Sequence, residues 1–218
     1  MTRDAVRPRQ RPGSLSELLG LAGPVMLARL GIMAMGLTDT IVVGRNSAAE
    51  LGFIALAWAA ASPVLSSALG LLSGVQVLTA RTLGEGRPEG AGAALRRGVV
   101  YAAWIGIVAG VALAAGGPIL LGVLGLKGDL ATGAAAPLTI LAASMPSFAI
   151  GAAASSWLEG LGRTTPPMFL MWAANLVNLA VDLVLVPGGF GLPALGAAGA
   201  AAATFSARTV LAVATLVY

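Results

Sequence analysis

The 218-residue chain contains no cysteine and no histidine. Without cysteine there are no disulfides, thiolate metal sites or thiol nucleophiles. Without histidine the commonest general base and the commonest metal ligand are both missing. Charge is scarce too, at 10% of residues, against about 25% in ordinary soluble domains. Aromatics make up only 5%. In their place stand apolar and small residues: 57% of the chain is hydrophobic, 30 residues are glycine, and the mean hydropathy is +0.89. A globule this apolar could not cover its surface with polar groups, so the excess must face lipid. Small residues let helix backbones approach closely where no hydrophobic force drives association, as in membrane bundles.

The isoelectric point near 10.7 does not indicate nucleic acid, because the basic residues sit at helix ends and in an N-terminal tail rather than on one helical face. Nor does the N-terminus read as a signal peptide. Arg3, Arg7, Arg9 and Arg11 precede an apolar segment too long and interrupted for a short h-region, with no clear cleavage site.

Breaking the chain at charges and Gly/Pro clusters predicts a basic tail over 1–17 and a six-helix transmembrane lobe over 18–218. The spans run near 18–43, 51–80, 98–125, 131–158, 167–187 and 194–218. Each reaches the about 20 residues that a helix needs to cross a bilayer. The fold class is therefore an all-α membrane bundle. Long apolar runs rather than alternation exclude strands. Pro24, Pro63 and Pro146 fall inside spans, where a bundle tolerates them as kinks. The connections are short except 81–97.

With the tail cytoplasmic, the inner segments hold nine arginines: Arg3, Arg7, Arg9, Arg11, Arg81, Arg87, Arg96, Arg97 and Arg163. The outer loops hold Arg45 and Lys127. This asymmetry places both termini of the chain in the cytoplasm, the expected location being the cell membrane. The sequence stops with the sixth span and reads as though cut there.

Charges within spans are expensive, and each is a functional hypothesis by default. Asp39 lies late in span 1 and Asp182 late in span 5. Both spans run outward, so the carboxylates share a similar depth. Asn175, Asn178 and Asp182 follow i, i+3, i+7 spacing and form one polar stripe, which must face the bundle interior or a water-filled cavity. Two carboxylates in a partly dry cavity repel each other and are poorly solvated, which makes them candidate proton carriers. With amide and hydroxyl oxygens nearby, including Thr204, they could equally hold Na+. The plainer alternatives are helix–helix hydrogen bonding, or pairing of Asp39 with Arg45. Arg208 is expected to snorkel toward the cytoplasmic face or pair structurally. Arg29 lies deeper and could snorkel, neutralise a carboxylate or meet an anionic substrate group. Glu159 is expected at a solvated helix end. Met35, Asn175, Ser155 and Arg29 are candidate cavity-lining residues.

Gly70/Gly74 and Gly106/Gly110 have GxxxG spacing, read as tight helix packing. The string GEGRPEG has a loop-like look but lacks the Walker pattern, and no cofactor is implied. Any energy source would be an ion gradient.

Taken in order, LAGPVMLARL, LTDTIVVGR, GVQVLTARTLGEGRPEGAGAALRRG, SSWLEGLGRTTPPM, NLVNLAVDLVLV and LGAAGAAAATFSAR resemble the N-terminal lobe of the multidrug and toxic compound extrusion (MATE) family, in its DinF-like prokaryotic branch. The resemblance implies one lobe of a twelve-helix exporter that expels amphipathic or cationic compounds in exchange for H+ or Na+. It implies coupling residues at Asp39, Asp182, Asn178 and Thr204, and as partners the bilayer, drug-like substrates and a missing C-terminal six-helix lobe. The match departs at Met35, where the branch often has a tyrosine, and at Arg29, which is unexpected there. The rival readings are a lipid-linked precursor flippase of the same superfold, which would want a strongly cationic cavity, and a non-transporting fragment. An intramembrane aspartic protease is a further alternative, but neither aspartate sits in a GxGD-like setting.

Overall fold

The structure, a computed structural model, describes residues 15–123, 125 and 128–218. The tail arginines and Lys127 lie outside the described residues. Seven helices and no strands occur among these residues: α1 Leu15–Asn46, α2 Ala48–Gly84, α3 Gly90–Val123, α4 Asp129–Ala143, α5 Met145–Gly160, α6 Thr165–Leu185 and α7 Gly196–Val217. Among the described residues five are each long and apolar enough to cross a membrane, and α4 with α5, bent by 42° at their junction, are so when taken together.

That bend differs from the single span expected over 131–158, and its cause is local. Pro146 has no N–H to offer the Ala142 carbonyl one turn back, and its ring crowds that carbonyl. Helix α4 therefore stops at Ala143. The Ser144 hydroxyl donates to the Leu141 carbonyl at 2.7 Å, and Pro146 starts α5. Pro24 and Pro63, by contrast, lie inside continuous helices. The corner fits against glycines of α3. A Cβ on Gly106 would lie 2.5 Å from Pro146 Cα, and one on Gly110 would lie 2.6 Å from the Ala142 oxygen. The second glycine pair behaves differently from the expectation of tight packing: Gly70 and Gly74 have nothing within 4 Å of an added Cβ. They sit on an exposed face of α2, where spacing alone does not supply a neighbour.

The expected long connection 81–97 also shrinks. Helix α2 continues to Gly84 and α3 begins at Gly90. Arginine is a good helix former, so a charge marks the water level here rather than a helix end. The 37 residues of α2 span about 55 Å, well beyond the about 30 Å hydrocarbon core. In the turn, Arg81 donates to Glu85 at 2.8 Å and Arg87 also bonds it. These two arginines, Arg81 first, hold the Glu85 carboxyl below its usual range.

Helix α2 runs through the middle of the bundle and touches α1, α3, α4, α5 and α7. Its inward face mixes small residues, with Ala57 and Ala61 fully buried, and larger ones such as Ile54 and Leu72. Outward positions carry Leu30, Leu37, Trp104, Val108, Leu176 and Leu183, all exposed, as lipid contact requires. The start of α7 is anchored by α2. Glu50 Oε2 accepts from Ala197 N–H at 2.7 Å, satisfying an orphan donor at a helix end that favours negative charge. Gly196 has φ +51°, and a Cβ there would strike the Glu50 carboxylate. Replacing Glu50 with Ala should cost about 0.5–2 kcal/mol of stability, read as a lowered thermal midpoint in detergent. An unchanged midpoint would show that this cap is energetically idle.

Candidate cation site and adjoining cavity

Helix α6 turns Asn175, Asn178 and Asp182 inward while Leu176, Leu179 and Leu183 remain exposed. The polar stripe thus faces the bundle interior. Helix α7 comes close enough to complete the cluster because its facing residues are small. Ala200, Ala201 and Ala203 are fully buried, and a Cβ on Gly199 would lie 2.9 Å from the Leu185 carbonyl.

Asp39, Asn178, Asp182 and Thr204 are each completely buried. Asn178 Nδ2 donates to Asp39 Oδ1 at 3.0 Å, and Thr204 Oγ1 donates to Asp39 Oδ2 at 2.7 Å. Asp39 is therefore held by two neighbouring helices and does not pair with Arg45. Asp182 faces Asp39, yet both its oxygens lack a hydrogen-bond partner, as does Asn178 Oδ1. Buried oxygens without donors are rare and costly. Here three of them lie on two adjacent turns of α6, on the face turned toward Asp39. A proton or a desolvated monovalent cation would satisfy them. Among the described residues no three acidic side chains converge, so the donor set is two carboxylates, an amide and a hydroxyl. Oxygen donors of this kind suit a hard cation such as Na+.

Asn175 serves differently from the expected cavity wall. Its Nδ2 donates to the Gly31 carbonyl at 3.0 Å and to the Met171 carbonyl at 2.9 Å. It ties α6 to α1 where Gly31 allows close approach.

Below the cluster lies a cavity of about 50 Å³. Met35, Ser155 and Arg29 line it, as do Trp58, Phe148, Glu159 and Arg208. Of its two expected readings, Arg208 does not follow the first and does not snorkel: it is only 6% exposed. Its Nη1 donates to Ser144 Oγ at 2.5 Å, and its guanidinium lies 5.0 Å from the Phe148 ring and 5.5 Å from the Trp58 ring. The broken α4/α5 corner gives it a polar partner and an aromatic face, so no route to water is needed. Glu159 is not solvated: its side chain is 3% exposed and lies 3.6 Å from Arg29. The Arg29 side chain is half-exposed, and its charge faces that of Glu159 at one end of the cavity.

Sequence reasoning missed Trp58, Ser144 and Phe148. Nothing in the α2 pattern singles out Trp58, which lies beside Asp39. The placement of Arg208 did carry a signal. Ala200, Thr204, Arg208, Leu211 and Thr215 follow helical spacing on one face, and all are buried.

Residues 24–184 match the MatE family. The probable multidrug resistance protein NorM of Caulobacter vibrioides is 54% identical over 204 residues, covering 94% of this chain and 43% of that protein. Among solved structures, a MATE protein in the bent conformation superposes with a TM-score of 0.84 at 21% identity, over 91% of this chain and 44% of that one. The outward-facing conformation of a multidrug resistance MATE family transporter gives 0.79 at 22% identity, over 90% and 43%. The chain thus spans less than half the length of the relatives it matches. The family match across most of the sequence, together with the shared all-helical fold, places this chain in the MatE family of membrane transporters.

Proposed function

We propose that the chain acts as one lobe of a cation-coupled exporter, expelling small amphipathic or cationic compounds by alternating access. Asp39, Asp182, Asn178 and Thr204 form the coupling site for H+ or Na+, and a second six-helix lobe closes the substrate path. The protein sits in the cell membrane with both ends of this lobe cytoplasmic. The name of the Caulobacter relative, a probable multidrug resistance protein, supports the substrate class. The observation that carries the coupling site is the set of donor-less oxygens on Asp182 and Asn178, buried against Asp39. Uptake of a cation there removes the repulsion between the carboxylates and biases the lobe between two packings. The flippase alternative is weakened because Glu159 offsets Arg29, leaving Arg208 as the main unbalanced cation of the cavity.

The test is efflux of a fluorescent cationic dye from vesicles holding the membrane protein that contains this chain, under an imposed H+ or Na+ gradient. Efflux should follow one of the two gradients and stop when an ionophore collapses it. Efflux indifferent to both gradients would remove the coupling reading.

A further inference from the structure

Helix α3 carries an exposed ladder that neither the cation site nor the cavity uses. Arg97, Tyr101, Trp104 and Val108 follow i, i+4, i+7, i+11 spacing and so share one face of the helix. All are exposed. Along the helix the order is charge, phenol, indole, hydrocarbon. That order follows the polarity gradient from headgroups into a leaflet, where Tyr and Trp settle near the interface and Arg reaches up to the phosphates. Among the described residues the close ion pairs are Arg29–Glu159, Arg81–Glu85 and Arg87–Glu85. Arg97 takes part in none of them.

The deeper rungs border a groove of about 480 Å³ between α2 and α3, within the about 300–1,000 Å³ range of ligand sites. On the arginine side the two helices meet closely, since a Cβ on Gly98 would lie 3.0 Å from Val75. Beyond that contact the groove has small residues, Ala68 on α2 and Ala109 on α3, beside the exposed Leu71, Trp104 and Val108. It asks for no hydrogen bonds. The Ser67 hydroxyl donates to the Pro63 carbonyl at 2.9 Å. The Ser62 hydroxyl donates at 3.4 Å to the Ala59 carbonyl, which Pro63 leaves without its helical donor. Hydrocarbon therefore suits the groove better than a polar solute. Residues 104–109 lie about 10–18 Å along α3 from Arg97 at the helical rise. The half-thickness of the hydrocarbon core is about 15 Å, so this is the depth that an acyl chain reaches below its own phosphate.

We propose that this face holds one anionic phospholipid, its phosphate on Arg97 and one acyl chain in the α2/α3 groove. The lipid belongs to the leaflet that borders the α2–α3 turn. A zwitterionic lipid offers the same chain but carries its own cation beside the phosphate, which weakens the pairing with Arg97. An apolar helix of a second lobe fills a groove without answering the charge above it. The site depends on the lobe crossing a membrane and not on the coupling reading.

The experiment is local fluorescence quenching. This chain has no cysteine, so a bimane on Leu71→Cys reports from the groove, any cysteine elsewhere in the protein being replaced by serine. The membrane protein that contains this chain is placed in vesicles of equal parts dioleoyl phosphatidylglycerol and dioleoyl phosphatidylcholine, with bromine on the acyl chains of one lipid or the other. Phosphatidylglycerol should be favoured at the label about fivefold, the scale of one basic residue facing an anionic lipid. Arg97→Gln should make the two lipids equal. Arg96→Gln, whose charge lies on the neighbouring face of α3, should keep the preference. Should Arg97→Gln fail to fold, raised salt must shrink the wild-type preference without any mutation. Equal quenching in the wild type overturns the site, because ordinary bilayer lipid then occupies the groove. Quenching by neither lipid overturns it too, because protein then covers the groove. So does a preference that survives in Arg97→Gln, or one lost equally in both arginine variants.

Discussion

Asp182→Asn should reduce gradient-driven efflux to the level of empty vesicles while the protein still folds and reaches the membrane. The substitution keeps shape and volume but removes the negative charge and the group that can carry a proton. It should also leave the thermal midpoint equal to or above wild type. While ionised, a carboxylate whose oxygens have no donors, placed against a second carboxylate, contributes desolvation and repulsion, and replacing it relieves both. Asp39→Asn should behave differently. Asp39 accepts from Asn178 at one oxygen and from Thr204 at the other, and an amide must present its NH2 to one of those donors. That variant should lose about 1–3 kcal/mol of stability as well as coupling. The pair thus separates roles: Asp39 organises the cluster, and Asp182 supplies its unsatisfied capacity. Efflux undiminished in Asp182→Asn would sink the assignment.

Gly106→Ala should be among the most damaging single methyl additions to the lobe. The new Cβ would meet Pro146 Cα at 2.5 Å and the Met145 oxygen at 2.8 Å, both backbone atoms of the α4/α5 corner. Backbone cannot rotate aside as a side chain does, so α3 or the corner must shift, at about 1–3 kcal/mol or more. Low yield and a depressed thermal midpoint in detergent are expected. Gly70→Ala is the control, because a Cβ there meets nothing within 4 Å, and helix propensity favours Ala by about 1 kcal/mol. Equal effects at the two positions would contradict the packing described for the corner.

The two glycine pairs also show where sequence reading ran out. Both have the same spacing, and only the tertiary neighbours tell them apart. Hydrophobic length was enough to indicate an all-helical membrane lobe, because apolar runs of that size have few alternatives. The stripe Asn175, Asn178 and Asp182 was equally legible, since i, i+3, i+7 spacing fixes a face without any knowledge of partners. The stripe could not show that Asn175 bonds the α1 backbone while Asn178 bonds Asp39, a difference of one helical turn. Charged residues mislead in two ways. Arg96 and Arg97 suggest a loop by sequence, yet they are exposed positions inside helix α3. Glu159, expected at a solvated helix end, and Arg208, for which snorkelling is one of two readings, are buried, because an aromatic ring, a helix break or an opposite charge can stand in for water. Pro146 marked a kink from sequence, but its depth of 42° depends on the room that Gly106 and Gly110 leave.

Trp58 and Arg208 both line the cavity and both lie close to Asp39. Neither Asp39 nor Asp182 lines the cavity. A solute in the cavity and an ion on the carboxylates would therefore occupy separate rooms, and neither would have to vacate for the other to arrive. Antagonism between them must then be electrical, carried through Arg208, rather than a contest for the same atoms. Its strength should depend on the solute's charge, so that a neutral passenger and an ion could be aboard together.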